Sequence, residues 1–353
     1  MHTQLVQMLA IKKPQQGIPW RRVLRVMIAV GLPLAIALFR GEFLPAVYGA
    51  VAGFYTMFVD NGGNTSERIT VMMYMTVGML LAGIAGVAGH YVQGAPLAFL
   101  LAFAVFTGWL QGAGNSVEMM SKYWLIAFLF GDSAPHLSPL AGTYLLIGGM
   151  SGIFAVLLDR CLFRAPEQKN GPMLFEAMSR ILRRSHNNSI FAFYFAAKVV
   201  LAYLIGYGLG LERAYWVPLT VVLVTVYDNK LTIDRMVQRL FGSILGALLG
   251  WAMLYFFKAE WQLAAMVVVL AAITPIFLER NYWLAVIPIT ALVMVLLDFG
   301  GEHHSLVRAR VENTIIACVL SGMGTLLFIR LQPNYFDPRP KKKLKRIQRD
   351  EPM

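Results

Sequence analysis

The sequence predicts an all-α fold: a polytopic transmembrane helix bundle of about twelve spans in two parallel six-span repeats. Three observations predict it. Of the 353 residues, 58% are apolar and only 14% charged, where a soluble domain carries about 25% charged residues. The apolar residues fall in blocks that approach the ~20 residues needed to cross a hydrocarbon core. The two halves also repeat the same landmarks in the same order. A mean hydropathy of +0.60, spread over many blocks, does not fit one soluble domain on a single anchor.

Read between breakers, the first half offers spans at 21–39, 44–59, 67–90, 95–112, 121–131 and 139–162. The second offers 190–210, 214–227, 233–257, 261–278, 281–298 and 306–330. Segments 44–59, 121–131 and 214–227 are short enough to be tilted, broken or re-entrant. The domain layout is an N-terminal segment 1–20, a first membrane repeat 21–162 and a basic linker 163–189. A second repeat 190–330 and a basic tail 331–353 follow. Met1 to Gly17 lacks the apolar core of a cleavable signal, and Trp20-Arg21-Arg22 leads straight into the first span.

The halves match at four places. Leu44-Pro45 opens an apolar run ending at Asp60, and Val217-Pro218 opens one ending at Asp228. Each run precedes an arginine, Glu67-Arg68 in one half and Asp234-Arg235 in the other, with Gly83 and Gly250 equally spaced beyond. Lys122-Tyr123-Trp124-Leu125 matches Asn281-Tyr282-Trp283-Leu284, and Gly149-Met150 matches Gly322-Met323. Four matches in one order indicate a duplicated unit. Six crossings per half make the repeats parallel, about an axis along the membrane normal.

The basic residues behind the net charge of +12 gather at and beyond the ends of the spans. Lys12, Lys13, Arg21, Arg22 and Arg25 precede the first helix body. Arg160, Arg164, Lys169, Arg180, Arg183 and Arg184 mark the linker, and Lys341 to Arg346 the tail. Basic segments that flank spans sit in the cytoplasm, beside anionic lipid. Both termini are therefore expected in the cytoplasm, with the bilayer rather than nucleic acid as the partner. Cys161 and Cys318 suggest helix packing, neither a disulfide nor a metal site.

Charged groups near hydrocarbon pair, face an aqueous cavity or sit at headgroups. On that ground Arg68, Arg235 and Arg239 are candidate carboxylate-binding residues, because a guanidinium grips a carboxylate through two parallel hydrogen bonds. Contact with lipid phosphate is the plainer alternative. Tyr123, Trp124, Tyr282 and Trp283 are candidates for stacking on an apolar substrate body, against an interfacial aromatic belt that also includes Tyr215-Trp216. Asp60, Glu67, Asp228 and Glu312 are candidate proton carriers. Gly242, Gly246 and Gly250 share one helix face and read as a tight packing stripe.

Several enzyme signals are absent from the sequence. No glycine precedes a lysine, so there is no P-loop. Glu302-His303-His304 is not H-E-x-x-H, and adjacent histidines do not share a helix face. The expectation is a non-enzyme with no cofactor and no metal.

Residues Tyr215-Trp216-Val217-Pro218-Leu219-Thr220, then Asp228, Arg235 and Gln238-Arg239-Leu240-Phe241-Gly242-Ser243-Ile244-Leu245-Gly246, carry a resemblance. They resemble the fusaric acid resistance and aromatic acid exporter family of bacterial inner-membrane proteins. That family has a Tyr-Trp-x-Pro-Leu-Thr start, an arginine, then an Arg-x-x-Gly-x-x-x-Gly helix. The first half carries a weaker copy at Leu44-Pro45, Asp60 and Arg68. The resemblance implies proton-driven efflux of aromatic carboxylic acids, often with a periplasmic adaptor protein, and the pattern is also similar to plant anion channels of the malate type. Many members hold a large cytoplasmic domain between the halves, which the linker 163–189 does not match, having room for little more than one short amphipathic helix (Met173 to Arg184).

The expectation is thus a bacterial inner-membrane permease for a small organic-anion substrate, coupled to the proton gradient, with an adaptor and a homo-oligomer as candidate partners. A passive anion channel, a membrane scaffold and a membrane-embedded enzyme are the rivals.

Overall fold

In a computed structural model of the protein, the described residues are 9–10, 18–60, 64–92, 94–134, 136, 138–163, 185–298 and 306–331, without the side chains of 185–188. The linker helix expected at Met173–Arg184, the Glu302-His303-His304 loop and most of the basic linker and tail lie outside them. Among the described residues the secondary structure is helical throughout, in twelve α-helices.

These are α1 (Trp20–Arg40), α2 (Phe43–Val59), α3 (Thr65–His90), α4 (Ala95–Trp109), α5 (Asn115–Ser133), α6 (Pro139–Phe163), α7 (Ser185–Gly208), α8 (Trp216–Val224), α9 (Asn229–Phe256), α10 (Glu260–Arg280), α11 (Tyr282–Asp298) and α12 (Leu306–Leu331). Seven are long and apolar enough to cross a membrane: α1, α3, α6, α7 from Ser189, α9, α10 and α12. The chain is a multi-pass membrane protein.

Local sequence explains the ends. Gly41 takes a left-handed φ of 70° and returns its N–H to the Ala37 carbonyl, which stops α1. Asn64 accepts from the Ser66 N–H at the start of α3, and Asp228 accepts from the Lys230 and Leu231 N–H groups at the start of α9.

The expected short span 214–227 folds differently from a full helix. α8 covers only Trp216–Val224 and gives way to non-helical backbone at Thr225–Asp228. The Thr232 hydroxyl holds this stretch, accepting from the Val226 N–H at 3.1 Å and lying 3.1 Å from the Val226 carbonyl. The Lys122 ammonium donates to the Thr225 carbonyl at 2.8 Å. Irregular backbone at this depth survives because protein supplies its hydrogen bonds. By contrast 121–131, expected to be short, is part of the full nineteen-residue α5.

In the first half, α1 packs on α2 and α6, α2 on α6, α3 on α5 and α6, and α4 on α5. In the second, α7 packs on α8 and α12, α8 on α12, α9 on α11 and α12, and α10 on α11. The halves join where α1 meets α10, α4 meets α7 and α5 meets α8. The glycine stripe of α9 is a packing face, as its spacing implies. A Cβ on Gly242 would sit 2.6 Å from the Trp283 carbonyl, and one on Gly246 2.5 Å from that of Ile287, both on α11. Cys318 is buried, but Cys161 is exposed at the end of α6, so only one of the two thiols is a packing group.

Candidate functional site

One end of the first half is closed by ion pairs. Arg68 grips Asp60 with both arms of its guanidinium, at 2.6 and 2.7 Å, and Arg25 adds a third bond at 2.8 Å. Arg21 holds Asp159 through two bonds of 2.9 Å, and Arg160 bonds the Thr65 hydroxyl. α1, α3 and α6 are thereby tied to the end of α2. Arg68 and Asp60, expected as substrate and proton groups, occupy each other.

Among the described residues the sequence counterpart in the second half has no such pair. Asp228 is an exposed helix cap, and Arg235 lies over the Tyr282 ring, 5.6 Å from its centroid. One turn further along α9, on the same face, Arg239 is 2% exposed. Arg310 of α12 is 1% exposed and lies over the Trp216 indole at 4.9 Å. Arg213 approaches the same indole at 5.6 Å.

The two deepest arginines are close enough to repel each other. The Tyr55 phenol is within electrostatic reach of both. Tyr123 is within reach of Arg239, and Tyr215 and Tyr282 of Arg310. Tyr55 and Tyr123 stack at 4.1 Å with their planes 9° apart. Among the described residues neither Arg239 nor Arg310 has an ion-pair partner, and the buried Nε of each lacks a hydrogen-bond acceptor. On the same set of helices, the buried Thr220, Ser243 and Thr290 hydroxyls have no partner among the described residues either.

Removing a charge from water costs several kcal/mol unless something compensates it. Cation–π contact with Trp216 returns only about 2 kcal/mol. Two neighbouring guanidiniums without a carboxylate therefore form a region of strong positive potential inside the bundle, suited to an anion that brings its own oxygen acceptors.

Two buried lysines extend the polar interior. Besides the bond from Lys122 to Thr225, Lys198 donates to the Tyr194 hydroxyl at 3.1 Å and to Thr325 Oγ1 at 3.2 Å. The Thr225 and Ser321 hydroxyls lie 3.4 Å apart between them.

The remaining expected residues fall as follows. The Trp124 indole donates to the Met75 carbonyl at 3.2 Å and packs on Gly78. The Trp283 indole donates to the Leu9 carbonyl at 3.1 Å, and neighbouring Asn281 donates to that of Ala10 at 2.8 Å. Glu67 sits in the first turn of α3. Glu312 pairs with Arg308 at 2.6 Å on the outer side of α12. Tyr123, Tyr215 and Trp216 are buried in protein, so the belt expected for these rings gives way to an internal aromatic cluster.

Sequence reasoning missed Arg310, Tyr55 and Lys198. The available signal was an arginine or lysine inside an otherwise apolar span, which is costly enough to mark a site by itself.

A cavity of about 160 Å³ opens beside this cluster, between α2, α5, α11 and the α7–α8 connection, with Tyr55, Arg213 and Tyr215 in its wall. Its surroundings come from both halves of the chain.

Residues 201–323 match the family described as fusaric acid resistance protein-like, which contains the segment that carried the resemblance. The chain is 29% identical over 125 residues to an uncharacterized membrane protein, YvaC, of Bacillus subtilis (strain 168), a match covering 34% of this chain and 20% of the relative. It is 31% identical over 129 residues to the uncharacterized protein YhfK of Escherichia coli (strain K12), covering 36% and 18%. It is 26% identical over 133 residues to the inner membrane protein YccS of the same organism, again covering 36% and 18%. The matches span about one fifth of the length of these relatives. No solved structure matches.

Proposed function

We propose that this membrane protein, fusaric acid resistance protein-like over residues 201–323, is a permease that exports small organic anions, with aromatic carboxylates as the substrate class. The observation that carries the reading is that Arg239 and Arg310 are both buried, lie within electrostatic reach of each other, and have no carboxylate partner among the described residues. A visiting carboxylate supplies the missing counter-charge, and Tyr55, Tyr123 and Tyr282 border it with phenol groups and ring faces. Arg235 stands one turn along from Arg239, as the next guanidinium on that face of α9. The family's description names resistance to fusaric acid, itself an aromatic carboxylic acid, and this supports the substrate class and the outward direction.

The pathway lies between two six-helix repeats related by an axis along the membrane normal. Support comes from the helix pairing: positions one, two and six pack together in each half, position three packs on five and on six, and the first and fourth helices exchange partners across the join. The basic flanks place both termini in the cytoplasm, and likeness to an inner membrane protein favours that membrane. An adaptor protein rests on the family resemblance alone.

Efflux of labelled benzoate from proteoliposomes tests the reading. Arg239→Ala with Arg310→Ala should reduce flux at least about tenfold, the scale of a lost charge-assisted hydrogen bond; wild-type flux in that double variant refutes the assignment. The same result for Arg235→Ala with Arg239→Ala would remove Arg235 as well.

A second reading, a passive organic-anion conduit, is favoured by one observation. Asp60 is held by two arginines, Asp228 caps a helix and Glu312 pairs with Arg308. Efflux indifferent to an imposed proton gradient selects the conduit, and gradient-dependent efflux selects coupling.

A further inference from the structure

Among the described residues three carboxylates are buried: Asp60, Asp132 and Asp159. Arginines hold Asp60 and Asp159. Asp132 is the deepest of the three, 3% exposed, and among the described residues no arginine or lysine pairs with it. Its Oδ2 accepts from the Tyr203 hydroxyl at 2.8 Å, and its Oδ1 lies 3.8 Å from Nδ1 of His90. Asp132 belongs to the last turn of α5, and Tyr203 to α7, so the phenol bond joins the first half of the chain to the second. A Cβ on Gly86 would lie 2.7 Å from the Asp132 backbone nitrogen, which sets the end of α5 against the last turn of α3. His90 closes that turn with about half of its side chain exposed.

Arg68 begins α3 and His90 ends it, so this cluster stands about 33 Å along the helix from the Asp60 ion pairs. With the basic flanks in the cytoplasm, it faces the outer side. Two tyrosines lead inward from it. The Tyr207 ring lies 4.4 Å from that of Tyr203, Tyr207 is within electrostatic reach of Tyr215, and Tyr215 of Arg310. Of the other elements packed on α5, α4 and α8 carry no titratable side chain. Tyr48 and Tyr55 of α2, with Arg213 and Tyr215 of the α7–α8 connection, surround the cavity that borders Ser133 and Ala134.

We propose that Asp132 is the proton-carrying carboxylate of this protein, loaded from the outer side through His90. This rests on the permease reading and supplies the coupling group that Asp60, Asp228 and Glu312, each engaged elsewhere, do not. A buried carboxylate without a cation is costly, and a proton relieves that cost as an arginine would. The half-exposed imidazole both accepts and donates protons. In the loading step an N–H bond of the His90 imidazolium breaks as an O–H bond forms on Asp132, and outside water then reprotonates the imidazole. Tyr203 stays a phenol throughout. Its bond to the ionised carboxylate is about twice as strong as one to a neutral acid, so proton uptake loosens a contact between the halves at the outer end.

The test uses the full chain in lipid nanodiscs and pH-difference infrared spectroscopy, which detects the C=O stretch of a protonated carboxyl. A band that grows as pH falls is expected in the wild type and in Asp132→Glu, and lost in Asp132→Asn. Tyr203→Phe removes a bond that favours the ionised form. Its band should appear about one pH unit higher, the scale of one lost hydrogen bond to a charged group. That variant keeps the carboxylate, should Asp132→Asn fold poorly. In proteoliposomes, benzoate efflux should respond to an imposed proton gradient in the wild type and lose the response in Asp132→Asn, whether efflux itself persists or stops. His90→Gln should keep the band and slow the response at least about tenfold.

A band that survives in Asp132→Asn overturns the proposal, as does a Tyr203→Phe titration that matches the wild type. Efflux that still follows the gradient in Asp132→Asn, or that ignores it in the wild type, overturns the carrier role. An unchanged response in His90→Gln overturns the entry route. A titrating Asp132 in a protein that passes no benzoate would sink the permease reading and leave the proton site standing.

Discussion

The Arg310 guanidinium lies over the Trp216 indole, 4.9 Å from the ring centroid, and both side chains are closed off from solvent. The Arg310 Nε has no hydrogen-bond partner among the described residues. Held this way, the arginine keeps its charge in the interior without a carboxylate to neutralise it, and that gives the site its attraction for anions.

Such a group should cost stability. Replacing Arg310 by methionine keeps the volume and removes a desolvated charge, so Arg310→Met is expected to stabilise the fold by about 1–4 kcal/mol while lowering organic-anion flux. Thermal unfolding of the purified protein in detergent reads the first effect. A lower midpoint would mean that Arg310 is a structural cation whose contact with Trp216 outweighs its desolvation.

At Arg239 the shape of the donor should matter beyond its charge. Arg239→Lys retains the positive charge but loses the planar fork that meets two carboxylate oxygens at once. Affinity for benzoate should fall about tenfold, whereas chloride, which has no pair of oxygens to match, should bind almost unchanged. Parallel losses for both anions would show that only the charge is used.

Asp60 and Arg68 should be strongly coupled. Removing Arg68 takes two charge-assisted bonds from a buried carboxylate, and Arg68→Ala is expected to cost about 2–4 kcal/mol. In a double-mutant cycle with Asp60→Asn the losses should be far from additive. Additive losses would return Arg68 to the list of substrate-binding groups.

The α9–α11 contact should tolerate nothing larger than glycine at its closest point. A Cβ at Gly246 would lie 2.5 Å from the Ile287 carbonyl and 2.7 Å from the Thr290 Cβ. Gly246→Ala is expected to destabilise by about 1–3 kcal/mol, as overpacking does. Gly208→Ala, where no atom lies within 4 Å, is the control. Equal unfolding midpoints for the two variants would mean that α9 and α11 slide apart freely.

Lys122 should be needed for the break after α8. Its ammonium donates to the Thr225 carbonyl at 2.8 Å, and Thr225 is buried. Lys122→Met removes the donor, at a cost of about 1–3 kcal/mol, and should speed amide hydrogen exchange across 225–228. Unchanged exchange would assign that break to Thr232 alone.

Most of the architecture was legible in the residues. Apolar blocks marked the twelve helices of the described residues in order, seven of them long and apolar enough to cross a membrane, because a helix in lipid must satisfy its own backbone and so shows itself as a long apolar run. The Gly242–Gly246–Gly250 stripe announced a close helix contact, because only a missing side chain lets backbones approach that far. α8 was harder to read. Its residues are as apolar as a span, but it is surrounded by protein, and burial in protein looks the same in sequence as burial in lipid.

For the site, the sequence by itself determined which residues were costly: arginines and carboxylates beside hydrocarbon, and tyrosines and tryptophans at matching places in both halves. It could not say which charges would cancel. Arg68 and Arg235 occupy equivalent places in the chain, yet one is neutralised by Asp60 and the other lies over Tyr282. Arg310, far along the chain from Arg239, became its neighbour when α12 packed on α9. Tertiary structure decided this because an ion pair depends on distances of a few ångströms between helices, whereas the cost of burying a charge is already written in the residue itself.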